Sequence, residues 1–481
     1  MNRRMVIYMV GTVIKLEAVL MILPAIVSFI YKESGTIYFA YSILIALAAG
    51  FAMTLISKPG NKVIYAREGF VIVALSWFML SAVGALPFFL SGEIPNYIDA
   101  FFETVSGFTT TGASILSDVE KMSNGMLFWR SFTHWVGGMG VLVFMMAVVP
   151  SVSDRSIHIL RAEVPGPVVG KLVPRIKQTT RILYIIYIVM TIIQIVLLLL
   201  GGMPLFDSIL HAFGTAGTGG FGIKADSLAS YSPYLQWVIT IFMFLFGVNF
   251  NLYYLLLIKK FRSILKSTEL WFYCGIVFVS TVAISVNINT AYPTIGETVR
   301  HAAFQVSSII TTTGYATTDF DTWPVFSKSI LLMLMFIGAC AGSTGGGIKV
   351  SRIVLLLKNI KRELKKMLHP RSVGVIRFEG KKVEDHTANS VSSYLAIYTC
   401  FFCLIFLVVS MFESFNLETI ISSVASCFNN IGPAFGAAGP TLSYAEFSQV
   451  SKLVLSVAML LGRLEIYPII LTLSPTTWVK K

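Results

Sequence analysis

Apolar runs of about twenty residues, each followed by a short polar gap, succeed one another from residue 7 to residue 472. Runs of that length reach across a hydrocarbon layer as helices. Hydrocarbon supplies no hydrogen-bond partners, so each run must satisfy its backbone internally, and helices are predicted throughout. Two opening helices are expected near residues 7–30 and 37–56. A unit of long span, short half-polar segment, Gly-rich turn and second long span then recurs four times. Its spans lie near 69–91 and 126–149, 179–200 and 234–257, 269–288 and 326–357, and 392–412 and 448–472. The enclosed segments are residues 96–114, 205–222, 297–317 and 417–436.

Aligned on their glycines, these segments bring TTTGA (109–113), TGGF (218–221), TTTGY (311–315) and NNIGP (429–433) into register, so that Gly112, Gly220, Gly314 and Gly432 coincide. Each preceding stretch has a helical pattern but is too short to cross a bilayer at about 1.5 Å per residue, so it enters and returns on one side. Irregular backbone at membrane depth is tolerated only where it is buried in protein or lines a water-filled path. Four such segments in one chain imply a shared axis, around which Thr and Gly carbonyl oxygens replace the hydration shell of a cation. The candidate filter is Thr110, Thr111 and Gly112, Thr218, Gly219 and Gly220, Thr312, Thr313 and Gly314, and Asn430, Ile431 and Gly432. The short helices aim their negative C-terminal ends at the same axis and favour cations. Close helix packing through small residues is the alternative for a single such patch; four in register favour the filter. The predicted fold is an all-α polytopic membrane protein with four tandem helix/pore-loop/helix repeats in pseudo-fourfold arrangement around one pore, preceded by two extra transmembrane helices. The divisions fall at 1–57, 58–150, 151–258, 259–357, a cytoplasmic basic linker at 358–390, and 391–481.

Composition agrees with a membrane solvent: 55% of the 481 residues are hydrophobic and the mean hydropathy is +0.77, which excludes a water-soluble surface. The net charge of +13 changes the picture by orienting the chain rather than by suggesting nucleic acid. Arg3, Arg4, Lys58, Lys62, Arg67, the stretch from Arg155 to Arg181, and Lys259, Lys260, Arg262 and Lys266 mark one side, which the positive-inside rule makes cytoplasmic, with both termini. The other gaps carry Glu93, Asp118, Glu120, Asp207, Asp319, Asp321, Glu413 and Glu418. The five cysteines, Cys274, Cys340, Cys400, Cys403 and Cys427, lie in apolar or near-membrane sequence and read as small hydrophobes rather than as disulfide or zinc ligands. The N-terminal run lacks a convincing small-residue cleavage site and reads as a retained helix.

With the four segments in hand, the chain resembles the Trk/Ktr/HKT superfamily of potassium transporters over nearly its whole length. The two extra N-terminal helices, GACAGSTGGGIKVSR (338–352) and GRLEIYP (462–468) resemble its TrkH/TrkG branch. That resemblance implies a potassium-translocating subunit of the bacterial inner membrane, with potassium as the transported substrate and no organic cofactor. It implies a homodimer under a cytosolic nucleotide-binding regulator of the TrkA type. In plant HKT relatives a Ser at the first filter glycine accompanies sodium permeation; Gly112 stands there and favours potassium. The fourth filter departs from the Thr-rich pattern with Asn429, Asn430 and Ile431 before Gly432 and Pro433 after it, which makes the sites unequal. A sodium-coupled or sodium-permeable transporter is the alternative within this class. A membrane enzyme would need paired carboxylates, a metal cluster or an activated nucleophile at depth, and the sequence offers none.

Two features point below the filter. Gly338–Gly347, including Gly342, Ser343, Thr344, Gly345 and Gly346, interrupts the second span of the third unit, and glycine disfavours helix interiors by roughly 1 kcal/mol relative to alanine. A break there reads as a gate, with a simple kink as the alternative; it is not a phosphate loop, because Ile348 follows Gly347 where such a loop has Lys. Arg463 lies within the last apolar span, without a basic counterpart at that depth in the other second spans, and reads as a cation that slows flux beneath the filter. An ion pair or helix-end contact, for instance with Glu465, is the alternative. Asn249 and Asn251 read as hydrogen-bonding residues within a span, and His134 as a satisfied interior histidine. Lys358–Lys382 reads as a basic helix followed by a hairpin at VGVIRFEGKKV, suited to anionic lipid headgroups or to a regulator. Residues 161–177 form a second candidate surface.

Overall fold

The long apolar runs form helices in the computed structural model, which describes residues 1–60, 64–140, 176–371 and 374–479. Among the described residues six helices are long and apolar enough to cross a membrane: Arg3–Ile30, Gly35–Ile56, Ala66–Ser91, Thr180–Leu200, Thr268–Asn287 and Asp385–Phe412. The opening pair is α1 (Arg3–Leu20), continued after Met21 by α2 (Ile22–Ile30), and α3 (Gly35–Ile56). Gly11 and Gly50 face each other closely enough that a Cβ on Gly50 would crowd the Gly11 carbonyl oxygen. Omission of side chains thus lets α1 and α3 approach backbone to backbone.

The first repeat comprises α4 (Ala66–Gly84), α5 (Leu86–Ser91), the short α6 (Tyr97–Phe108) and α7 (Asn124–Gly138). The rest of its second span, residues 141–149, and most of the surface at 161–177 lie outside the described residues. The second repeat has α8 (Ile176–Leu200), the short α9 (Leu205–Gly217), α10 (Pro233–Phe246) and α11 (Phe250–Leu257). The third has α12 (Thr268–Asn287), the short α13 (Ile295–Ile310), α14 (Val325–Phe336) and α15 (Val350–Leu368). After a two-stranded hairpin, β1 (Arg377–Phe378) and β2 (Lys381–Lys382), the fourth contains α16 (Asp385–Phe412), the short α17 (Leu417–Phe428), α18 (Gln449–Arg463) and α19 (Tyr467–Leu473).

Three of the four short helices begin on a capping side chain. Asn96 accepts from the Ile98 N–H at 2.8 Å, Thr294 from Glu297 at 3.2 Å, and Asn416 from Thr419 at 2.9 Å; the fourth, α9, starts after Pro204. Caps of this kind fix where each helix begins, and the glycine-containing turn fixes where it stops.

Two second spans, each a single apolar run in the sequence, are sharply bent. α10 and α11 meet at 92° and α18 and α19 at 117°. In the first, Asn249 is a helix cap: its Oδ1 accepts from Asn251 N at 2.9 Å and starts α11 afresh. Asn249→Ala is expected to cost about 1 kcal/mol, the usual worth of a cap, visible as a lowered unfolding midpoint in detergent; an unchanged midpoint would remove the cap from this account. In the second, Glu465 and Ile466 take left-handed φ of 54° and 69°, ahead of Pro468 in the first turn of α19. Proline has no N–H and crowds the preceding turn, so α18 cannot continue through it. The third second span breaks between Phe336 and Val350, where the glycine run predicts a break. The hairpin also forms where expected, with Arg377 opposite Lys382 and Phe378 opposite Lys381. Its two-residue turn, Glu379 and Gly380, has φ of 48° and 74°, the pair of left-handed residues that such turns require.

Candidate ion-conduction site

Each short helix runs into the same backbone pattern. Thr110, Thr218, Thr312 and Asn430 take φ of 55°, 55°, 58° and 59°. Two residues on, Gly112, Gly220, Gly314 and Gly432 take 78°, 71°, 85° and 104°, while the residue between each pair is not left-handed. Alternating handedness turns successive carbonyls toward the same side, which an ordinary strand or helix does not do. All twelve predicted filter residues belong to these four turns.

The turns close on one another. A Cβ on Gly112 would fall on the carbonyl oxygen of Gly219, one on Gly220 on that of Thr313, and one on Gly314 on that of Ile431. A Cβ on Gly432 would lie 2.7 Å from the carbonyl oxygen of Thr111, which completes the circuit from the fourth repeat to the first. The four glycines also line one cavity of about 290 Å³. Four carbonyls around one axis, at the negative ends of four helices, form an environment that suits a dehydrated cation.

Side chains differ where backbones agree. In the first and third repeats the Thr109 and Thr111 hydroxyls pair at 2.8 Å and those of Thr311 and Thr313 at 2.7 Å. Thr218 Oγ1 turns back to the Gly217 carbonyl at 2.6 Å. In the fourth repeat Asn430 Nδ2 donates to Thr111 Oγ1 and to the Met459 carbonyl, both at 2.9 Å, and Tyr398 donates to Asn429 Oδ1 at 2.9 Å. In place of a threonine pair, Asn430 bonds across to the first repeat through Thr111, while Asn429 is held within its own repeat by Tyr398. His134 is a buried scaffold residue, with Nδ1 2.7 Å from the Gly107 carbonyl oxygen and its ring against Phe221.

Beneath the turns lies the Gly338–Gly347 segment. Hydrogen bonds from Gly338 N to the Ile348 carbonyl and from Ile348 N to the Phe336 carbonyl join its two ends. Gly346 N donates to Thr312 Oγ1 at 2.7 Å. Gly345 and Gly346 lie so close under the carbonyls of Thr311 and Asn429 that a Cβ on either would crowd them. Gly342 meets the bend of the second repeat, where Phe250 N donates to its carbonyl at 3.0 Å. Ser343 closes a turn onto the Cys340 carbonyl. Arg463 reaches the Thr344 carbonyl at 2.9 Å, Thr110 Oγ1 at 3.2 Å, and the carbonyls of Gly137 and Gly138. One guanidinium thus binds the segment, the first filter turn and the end of α7. The suggested pairing of Arg463 with Glu465 does not form; Glu465 pairs with Arg352 in a two-pronged ion pair.

Several residues here were not anticipated. Lys349, 1% exposed, folds back on the Gly345 and Gly346 carbonyls, so Arg463 is not the sole cation among the second spans. The signal was present, since a lysine stands two residues after the glycine run. Glu269 accepts from Ala341 N at 2.7 Å, within the segment, and from Ser351 N at 3.0 Å, just after it. Around the upper cavity, Glu103 and Arg130 form a buried ion pair at 2.6 Å. Glu103 also accepts from Ser114 and Ile115, while Arg130 donates to the Gly222 carbonyl at 2.9 Å and lies over the Phe221 ring. The pair ties the loops that follow the first two filter turns to the helices behind them. Among the described residues no group of three or more His, Cys, Asp or Glu is arranged to hold a metal ion.

Known proteins are similar to this chain in sequence and in fold. The TrkH family, described as a cation transport protein, matches residues 35–478. The Trk system potassium uptake protein TrkH of Salmonella typhimurium is 35% identical, over 99% of this chain and 100% of its own length. The Trk system potassium uptake protein TrkG of Escherichia coli is 34% identical, over 99% and 98%. The crystal structure of the potassium transporter TrkH from Vibrio parahaemolyticus superposes with a TM-score of 0.89 at 32% identity and covers the whole of both chains. With sequence and architecture in agreement, the chain belongs to the TrkH family of membrane-spanning cation transport proteins, and is a transporter rather than an enzyme.

Proposed function

We propose that this chain takes up potassium through the ring formed by Thr110–Gly112, Thr218–Gly220, Thr312–Gly314 and Asn430–Gly432, with the Gly338–Gly347 segment and Arg463 as its gate. The observation that carries this reading is the cyclic contact of each filter glycine with a carbonyl of the next repeat, since a closed set of carbonyls replaces an ion's hydration shell where a single turn cannot. Potassium uptake by the named relatives supports the choice of ion. The gate reading follows from position: the segment bonds to Thr312 from below, and a path through the ring meets it next.

In this reading the basic loops face the cytoplasm of a bacterium, both termini are cytoplasmic, and potassium enters from the cavity of about 290 Å³. The subunit works as a homodimer with a cytosolic TrkA-type nucleotide-binding regulator, and the basic face of α15 also meets anionic lipid headgroups. Purified protein in liposomes, loaded against a potassium or a sodium gradient, tests the assignment. Potassium-selective flux is expected; equal flux of both ions would favour the sodium-permeable alternative.

Arg463 opposes a cation twice, by its charge and by holding the Thr344 carbonyl. Arg463→Ala is therefore expected to raise potassium flux, by roughly tenfold for the loss of one charge-assisted hydrogen bond. Tracer uptake into liposomes measures it, and a flux equal to that of the unsubstituted protein would refute the role.

A further inference from the structure

The gate segment is held from within, and again just beyond its C-terminal end, by one carboxylate that does not belong to it. Glu269 stands in the first turn of α12, is 5% exposed, and comes from a different span. Its Oε1 accepts from Ala341 N, inside the segment and ahead of Gly345–Gly347, and from Ser351 N, in the first turn of α15 after it. A carboxylate at that helix start meets both unpaired N–H groups and the positive end of the helix.

The first turn of α12 is in turn held from the basic side by the hairpin. Glu379, at the hairpin tip, accepts through Oε1 from Glu269 N at 3.1 Å and from Ser267 Oγ at 3.2 Å. Its left-handed φ of 48° comes from the tight turn that aims it there. The hairpin is fixed at its other side to α15: Lys358 Nζ donates to the Arg377 carbonyl at 2.8 Å and lies over the Phe378 ring, and Ile376 and Phe378 are buried. A continuous chain of contacts thus leads from an exposed hairpin through two carboxylates to Ala341 within the segment beneath the filter and to Ser351 just after it.

We propose that Glu269 is a positioning residue for the gate, through which the hairpin sets whether the Gly338–Gly347 segment stays under the filter. Displacing the hairpin removes Glu379 from the start of α12, frees that turn to move, and releases both anchors of the segment together. The inference rests on the gate reading above and adds the route by which a force on the basic face reaches it.

Potassium tracer flux through the full-length chain in liposomes tests this. Glu269→Ala is expected to raise basal flux roughly tenfold and Glu379→Ala about threefold, the factors that follow from losing a buried and an exposed charge-assisted hydrogen bond. The double variant is expected to conduct no faster than Glu269→Ala, because both act on one route. Glu269→Gln, which keeps an acceptor oxygen, is expected to restore most of the original rate, and the potassium-to-sodium ratio is expected to hold in all four, which general loosening of the fold would not permit. Unchanged flux in Glu269→Ala, or multiplied effects in the double variant, overturns the proposal. If Glu269→Ala does not fold, Glu379→Ala decides, and unchanged flux there overturns it. Higher flux in Arg463→Ala alone defeats the Glu269 route and leaves the gate standing; unchanged flux in Arg463→Ala and Glu269→Ala together defeats the gate.

Discussion

Gly112→Ser is expected to lower the potassium-to-sodium permeability ratio by about tenfold. Two costs coincide at this position. The φ of 78° lies in a region that a side-chain-bearing residue enters at about 1–3 kcal/mol, and the new Cβ falls on the Gly219 carbonyl oxygen. That oxygen must turn away, and the ring then offers three carbonyls at a level where it had four. A difference of about 1.4 kcal/mol between ions is a factor of ten, so partial loss of one ligand suffices. Gly202→Ser separates the causes: Gly202 has a φ of 82° but open space where its Cβ would stand. It shares the strain and lacks the collision. Reversal potentials with potassium and sodium on opposite sides of the membrane should change for Gly112→Ser and stay constant for Gly202→Ser. A ratio unaltered in Gly112→Ser would detach the glycine from selectivity.

Glu103→Ala carries the largest expected cost to stability. It strands Arg130, which is 3% exposed, and removes the acceptor that holds Ser114 and Ile115 beside the first filter turn. Breaking a buried pair from one side costs about 3–5 kcal/mol, whereas replacing both partners by apolar groups costs far less. The unfolding midpoint in detergent should therefore fall steeply in Glu103→Ala and recover by more than half in Glu103→Ala with Arg130→Met. Ser114 and Ile115 lose their acceptor in both variants, and Gly222 loses its tether as well in the double one, so selectivity should fall in both. A single variant as stable as the parent would show that the pair contributes nothing to the fold.

Much of this architecture was legible in the sequence because a membrane leaves few choices. The spans, the four short segments and the break after Phe336 follow from apolar length and glycine placement, and the filter register follows from aligning Gly112, Gly220, Gly314 and Gly432. The bends were not legible. Composition stays apolar across residues 234–257 and 448–472, and periodicity does not register a change of direction between two apolar helices. The local marks were Asn249 as a cap and Pro468 after Ile466, each a short-range signal inside a run whose length had already explained it. The charged residues were hidden for another reason. Glu103 with Arg130 and Arg352 with Glu465 are separated by 27 and 113 residues, and Glu269 reaches 72 and 82 residues along the chain. A partner at such range becomes visible only once the repeats are folded around their axis. Lys349 was nearer to hand, but a lysine after a broken span resembles the basic residues that mark the end of any span.

The contacts of the filter ring have a direction: each glycine abuts a carbonyl of the following repeat, from first to second, second to third, third to fourth and fourth to first. Genetic interactions among the quadrants should inherit that handedness. A lesion at Gly314 is answered at Ile431, so compensating changes recovered by selection for growth on scarce potassium should gather in the fourth repeat rather than in the second. The four parts of the chain would then evolve as a cycle with an arrow, each constrained chiefly by the one that precedes it.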